Sequence, residues 1–525
     1  MKTKRLLTWG MLMLMGASVA GCAILEPHAP KDGAKKEKTE QKYEKNDKEK
    51  DKQGKKEEAD VESGASESAY TDPKELKDEY DIVIVGSGGA GMTAAIEAKD
   101  KGMNPVILEK MPVVGGNTSK SSSGMNASNT KFQQEQGIKD SNDLFYEETL
   151  KGGHGTNDKE LLRYFVDHSA DAIDWLDGIG IKLDNLTITG GMSEKRTHRP
   201  SDGSAIGGYL VEGLSENVKK RDIPVFVNTD VKKLVEEDGK VDGVVAQVQG
   251  EKEKTIKADA VIVTTGGYGA SDEYIKEYRP DLEGYVTTNQ PGSTGDGIKM
   301  IEAVGGQTVD MDEIQIHPTV QQDQGILIGE AVRGEGAILV NEEGNRFVNE
   351  LDTRDAVSGA INKQTDKDAY LIFDQGVRSR ATAIEFYASK GYVVEAKTVE
   401  ELAKKLEMPA ANLEKSVTSW NEAVKNQKDE AFNRTTAMEH PLDQANYYAI
   451  KIAPGIHYTM GGVKINTKTE VLNKDNKPIE GLYAAGELAG GLHGENRIGG
   501  NSVAEIIIFG RQAGVQATDY VKAED

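Results

Sequence analysis

Tyr80-Asp81-Ile82-Val83-Ile84-Val85-Gly86-Ser87-Gly88-Gly89-Ala90-Gly91 is the stretch on which the fold turns. Its first half reads as a buried parallel strand, and the glycines that follow have the spacing G-x-G-x-x-G. Small and helix-forming residues continue from Met92 to Lys99, and a second strand, Pro105-Val106-Ile107-Leu108, ends at Glu109. In that order Gly86 permits the turn, Gly88 lets the backbone approach a pyrophosphate and Gly91 lets the helix pack on the strand. Gly89 and Ala90 open the helix, whose free N–H groups face the phosphates. Glu109 stands eighteen residues past Gly91, where a carboxylate holds ribose hydroxyls. The glycine pattern alone is a weak signal. Strand, helix, second strand and terminal acid in register make it a dinucleotide-binding α/β domain.

The chain around this domain is long and acidic. Its 525 residues exceed one ordinary domain, and 64 Lys+Arg against 87 Asp+Glu leave a net charge of −23. Such a balance argues against a nucleic-acid partner, whose footprint is basic. One cysteine, Cys22, excludes an internal disulfide, an all-cysteine iron–sulfur site and a haem-attachment pair. No internal repeat is visible.

Lys2, Lys4 and Arg5 precede a short apolar run from Leu6 to Met15, and small residues lead to Val19-Ala20-Gly21-Cys22. This describes a secretory signal over residues 1–22. Its ending resembles the lipobox of bacterial lipoproteins, which implies lipidation at Cys22 and a place on the outer face of the cell membrane. An incidental cysteine or a short membrane anchor is the alternative. Residues 23–75 read as a charged tether, since Lys31 to Asp60 is mostly Lys, Glu and Asp with too little apolar surface to offset ordering entropy. At its end, Asp60-Val61-Glu62-Ser63-Gly64-Ala65-Ser66 resembles the acceptor motif of flavin transferases, implying FMN joined through a phosphoester to Ser66. Plain linker is the other reading of the same small residues.

Further glycine-bearing segments choose between NAD and FAD. They are Gly115-Gly116-Asn117-Thr118-Ser119, Ser121-Ser122-Ser123-Gly124-Met125, a strand Ala260 to Thr265 running into Gly266-Gly267, and Gly481-Leu482-Tyr483-Ala484-Ala485-Gly486-Glu487. Together they resemble the FAD-binding subunit of the fumarate reductase and succinate dehydrogenase superfamily, with the soluble flavocytochrome-type fumarate reductases most similar. The resemblance runs from Tyr80 to the C-terminus. It implies FAD contacts at Gly86, Gly88, Gly89, Ala90, Gly91, Glu109, Lys110, Gly116, Asn117, Thr118, Ser123, Gly124, Met125, Gly267, Glu487 and Ser502. Ser119 and Lys120 stand where membrane-complex members attach FAD through a histidine, so non-covalent FAD is expected.

Five motifs carry the catalytic resemblance: Gln315-Ile316-His317-Pro318-Thr319, Glu330 to Gly336 (E-x-x-R-G-x-G), Thr353-Arg354-Asp355, His457 to Gly462, and His493-Gly494-Glu495-Asn496-Arg497. The resemblance implies that His457 and Arg497 hold one substrate carboxylate and His317 the other. It implies that Arg354 donates the proton, fed by a relay of Glu330 and Arg333. Fixed cationic and hydrogen-bonding groups of this kind polarise an alkene beside a carboxylate. An arginine acid needs its proton replaced along a buried chain, and the spacing of Glu330 and Arg333 places both on one helix face.

The sequence departs from the family at Gly329, where a threonine hydroxyl usually binds substrate. Losing that side chain is expected to leave more room, so a urocanate, cinnamate-like or branched enoate stands beside fumarate as a substrate. A flavin carrier without catalysis is disfavoured by the intact carboxylate clamp, and L-aspartate oxidase by the export signal. Without haem or cluster ligands, electrons are expected from a membrane-side donor, free flavin, or FMN on Ser66 loaded by a flavin transferase. The expected architecture is α/β: a Rossmann-like FAD-binding domain, 76–311 and 458–525, with an inserted α+β capping domain, 312–457. Thr398 to Glu407 and Asn412 to Asn426 have the apolar spacing of cap helices.

Overall fold

The computed structural model describes residues 70–524. Cys22 and Ser66 lie outside the described residues.

Strand Glu79–Val85 lies in the middle of an eight-stranded sheet. It pairs in parallel with Pro105–Leu108 on one side and with the end of Glu253–Val263 on the other. Val225–Phe226 and Pro478–Ala484 extend the parallel set outward. Ile82 to Val85 are buried on both faces, which is why the strand is an unbroken apolar run. The first half of Glu253–Val263 leaves the parallel set and joins an antiparallel meander with Lys240–Val248 and Thr229–Glu237.

Helix Gly89–Asp100 leaves the glycine turn and packs against the long C-terminal helix Asn501–Glu524. The turn is a steric fit. Gly86 takes φ +103°, and a Cβ on Gly91 would stand 2.1 Å from the Gly86 carbonyl oxygen and 2.6 Å from Thr264 Oγ1.

A second core runs from Ile328 to Ile452 and has its own antiparallel sheet, including Ile338–Val340, Ala369–Asp374, Tyr447–Thr459 and Ile314–Gln321. Helices Val399–Lys405 and Ala410–Asn426 cover it; Thr398 caps the first, accepting from Glu401 N–H at 3.1 Å. Two strands join the cores. Ile314 and Ile456 belong to the first, while Ile450 and Ile452 belong to the second. These strands, Ile314–Gln321 and Tyr447–Thr459, pair with two register shifts, one of them spanning Pro318, whose missing N–H interrupts the ladder. Both carry histidines at this junction. No helix among the described residues is long and apolar enough to cross a membrane.

The glycine turn generates a stability test. Gly91→Ala forces the strand and helix apart, so thermal unfolding should show a loss on the order of 1–3 kcal/mol, the usual range for an overpacked core. An unchanged Tm would show that the turn relaxes freely.

Candidate active site

The two glycine loops form a braced cradle. Ser87 donates to Glu109 Oε2 through its N–H at 2.9 Å and its hydroxyl at 2.6 Å, and Met111 N–H donates to Oε1 at 2.8 Å. Glu109 thus stiffens the first loop as well as ending the second strand. Gly89 N–H donates to Thr118 Oγ1 at 3.0 Å and ties the second loop to the helix start. A Cβ on Gly88 would meet nothing nearer than Thr118 Oγ1 at 3.8 Å, and one on Gly116 only Gly88 Cα at 3.9 Å. Packing therefore does not demand glycine at 88, whereas a phosphate group lying on the backbone does. Beside the cradle, Asn117 Nδ2 donates to Asn289 Oδ1 at 2.6 Å and to Glu487 Oε2 at 3.1 Å, and Thr459 Oγ1 is buried without a partner. An open backbone gap and an unpartnered buried hydroxyl fit a flavin dinucleotide.

Other expected contacts have duties within the protein. Lys110 Nζ is held by Asp296 Oδ2 at 2.5 Å and Thr294 Oγ1 at 2.8 Å. A Cβ on Gly124 would strike the His198 carbonyl at 2.4 Å, and one on Gly267 would strike Thr459 Oγ1. Packing alone explains both glycines. Met125 is fully buried, while Ser123 and Ser502 are half-buried.

Where the cores meet, Arg354 and Arg333 flank one carboxylate, Glu330. Arg354, first residue of helix Arg354–Asn362, donates from Nε to Glu330 Oε1 at 2.8 Å and from Nη1 to Gln315 Oε1 at 3.0 Å. Its Nη2 has no acceptor among the described residues and lies about 3.0 Å from where a Cβ on Gly499 would stand. Thr189 donates to Glu330 Oε2 at 2.7 Å. Glu330 and Arg333 share not an extended helix face but a single turn, Ala331–Gly334, with Glu330 at its N-cap; Arg333 Nη2 stands 3.8 Å from Glu330 Oε1. Arg333 is fixed behind by its own bond from Nη1 to the Glu350 carbonyl at 2.6 Å and by Arg434, which donates to the Arg333 carbonyl at 2.7 Å.

Burial alone would raise the Glu330 carboxyl, but Arg354 and then Arg333 pull it down to about 2. Burial, reinforced by Arg354, drives His317 and His457 well below the usual histidine range, so both are neutral. Burial also lowers Arg333 and Arg497 to about 10. Thr319 N–H donates to His317 Nδ1 at 3.2 Å, which places the ring proton on Nε2, and Nε2 is buried without a hydrogen bond, 3.9 Å from Glu330 Oε1. His457 keeps part of its ring open, with Nδ1 2.7 Å from Thr288 Oγ1. The two rings meet edge to face, 5.1 Å apart. Arg497 lies over the Tyr458 ring at 4.2 Å with its Nε unpartnered. His317 Nε2, Arg333 Nε and Nη2 and Arg497 Nε are thus buried donors without hydrogen-bond acceptors among the described residues. Unused donors of this kind fit an anion.

The sequence model of the FAD binding domain family matches residues 81–503. The chain belongs to this family. Within the family it is 53% identical over 439 residues to the NADH:fumarate oxidoreductase of Klebsiella pneumoniae, covering 83% of this chain and 47% of that protein. It thus spans about half the length of that relative. It is 44% identical over 446 residues to a fumarate reductase (cytochrome) of Shewanella frigidimarina, covering 85% of this chain and 78% of that one. The open conformation of a flavocytochrome c3 fumarate reductase has the same fold, with a TM-score of 0.72 and 41% identity over 85% of this chain and 79% of that one. The FAD binding domain family supplies the chemical identity of the cradle's occupant.

Several further residues of this site have roles that the sequence does not assign. Gln315 accepts from Arg354 and donates from Nε2 to the Asn496 side chain at 2.8 Å and the Arg497 carbonyl at 2.7 Å, so it joins the Arg354 helix to the Arg497 loop. Its place in a motif with His317 was the available signal. Thr189, distant in sequence and flanked by no motif, had none. Tyr458 donates a short bond to Glu505, which also meets His493 Nε2 at 3.0 Å. The room expected beside Gly329 is partly filled: a Cβ there would stand 3.1 Å from Ser122 Oγ and 3.6 Å from Tyr387 Oη.

Two tests follow from the cradle. Gly88→Ala should leave the melting of the FAD-free protein unchanged yet weaken FAD retention about tenfold or more, read by fluorescence titration, because the added methyl enters only the gap over the backbone. Burial pushes the Glu487 carboxyl up to about 7, with Asn117 opposing. From about pH 4.5 to 7 the folded FAD-free protein then holds a proton that the unfolded chain releases, so stability falls as pH rises through that window. The loss should reach up to about 3 kcal/mol between pH 4.5 and pH 8 by denaturant unfolding, and Glu487→Gln should flatten it.

Proposed function

We propose that the protein is an FAD-dependent fumarate reductase forming succinate in anaerobic respiration, held outside the cell membrane by lipid on Cys22. The observation that carries the reading is a buried carboxylate, Glu330, held by Arg354 and Arg333 with His317 Nε2 3.9 Å away, beside the His317–His457 ring pair and Arg497, which lies close enough to lower both imidazoles. The names of the relatives support it.

Reduced FAD, when bound, supplies the hydride. Gly88, Gly116, Asn117, Thr118 and Glu487 would hold it. Arg497 and His457 clamp one carboxylate, and His317 Nε2–H meets the other. These contacts draw electron density out of the alkene. Arg354 delivers the proton from Nη2, the nitrogen left free when Glu330 and Gln315 hold Nε and Nη1. Glu330 stabilises the guanidinium before transfer and lies between Arg354 and Arg333, whose lowered basicity suits it to return a proton. The buried setting keeps water from competing.

Electrons arrive through FMN on Ser66, added by a flavin transferase, or from a membrane-side donor or free flavin. This reading rests on Asp60 through Ser66 and on the scarcity of other redox ligands in a chain with one cysteine. A urocanate, cinnamate-like or branched enoate is the second reading. It is motivated by Gly329 and by 36% identity over 464 residues to the urocanate reductase of Eggerthella lenta.

Arg354→Ala should lower fumarate reduction with an artificial donor by about 100-fold or more, the range for loss of a general acid, with FAD absorbance retained. Near wild-type turnover would remove Arg354 from the proton path. Intact mass of protein from the native host should show one FMN-sized addition that Ser66→Ala abolishes; an unmodified Ser66 would end the FMN proposal.

A further inference from the structure

The wall beside Gly329 carries donors that the mechanism above leaves without a use. Gly329 N–H donates to Tyr387 Oη at 3.0 Å, and Tyr387 is almost fully buried on cap helix Ala383–Ser389. The hydroxyl accepts that bond, and its own hydrogen has no acceptor among the described residues. Ser122 Oγ, from the FAD-binding domain, likewise has none. Both oxygens lie in the direction a side chain on residue 329 would take, 3.6 and 3.1 Å from its Cβ position. Arg199 stands close enough to oppose the effect of burial on Tyr387, and its Nε is buried without a partner.

This wall is continuous with His317. Thr319 donates from Oγ1 to the Ile328 carbonyl at 2.7 Å and accepts from Ile328 N–H at 2.9 Å, fastening the His317 strand to the residue before Gly329. The Tyr387 hydroxyl hydrogen, buried without an acceptor, is unfavourable in the free protein and favourable once an anion arrives, and half-buried Ser122 adds a second donor.

We propose that Ser122 Oγ and Tyr387 Oη join His317 in binding the substrate's second carboxylate, so that the site selects dicarboxylate over monocarboxylate enoates. The inference rests on the reading of His317, His457 and Arg497 as the carboxylate site. It names the groups that take over where Gly329 offers no side chain. One hydroxyl comes from each domain, so the second carboxylate also bridges the cap to the FAD-binding domain.

Ligand binding tests this independently of turnover. Dissociation constants of the FAD-loaded enzyme for succinate and for propionate are read from perturbation of the flavin absorbance. In Tyr387→Phe and in Ser122→Ala the ratio of the succinate constant to the propionate constant should rise about tenfold, the weight of one hydrogen bond to a charged group. Tyr387→Phe combined with Gly329→Thr puts a hydroxyl back on the same side and should recover part of the ratio. Should Tyr387→Phe lose FAD, Ser122→Ala reads the same ratio. Equal weakening toward both acids, or no change in either variant, would overturn the proposal. Selective loss of succinate binding in a protein that does not reduce fumarate would leave the subsite standing and refute the fumarate reductase reading instead.

Discussion

The pair Arg354–Glu330 is the contact on which the site depends. A carboxylate buried this deeply would ordinarily be neutral, and a guanidinium beside two others would be repelled. Each makes the other tolerable: Arg354 and Arg333 hold Glu330 ionised, and Glu330 is the carboxylate that Arg354 and Arg333 share in this cluster. Arg497, which has no ion pair with Glu330, stands apart from this pair with its Nε buried and unpartnered.

That arrangement has to be held by rigid parts, since an arginine able to move would find water. Gln315 fixes Arg354 from a strand, Thr189 fixes Glu330 from a separate segment, and Arg434 and Glu350 fix Arg333 from within the cap core. The two strands that belong to both cores carry His317 and His457: His317 pairs with Gly455, and His457 is the extra residue at the register shift between Ile456 and Tyr458. The Pro318 irregularity sits at the point where the ladder has to yield for His317 to be held by Thr319.

Relatives of this chain carry different names, among them fumarate reductases, a urocanate reductase and an NADH:acrylate oxidoreductase. In this chain the place of a side chain at Gly329 is flanked by two hydroxyls from elsewhere, Ser122 and Tyr387.

The sequence by itself determined the parts whose meaning is local. Strand, glycine turn, helix and terminal acid around Gly86 to Glu109 are set by steric limits within thirty or so residues. The cap helices near Thr398 and Asn412 follow from their apolar period and a capping threonine. The residues gathered at the centre were legible because they sit in motifs, although their single-turn spacing near Glu330 was shorter than the helix expected. What the tertiary structure decided is what depends on distance through space. Thr189 reaches Glu330 across 141 positions and Tyr387 reaches Gly329 across 58, and nothing near either residue in the chain marks it. Gly329 reads in sequence as an emptied pocket because a missing side chain is all that one position records; only the packing of a cap helix against the FAD-binding domain brings Ser122 and Tyr387 to the same place.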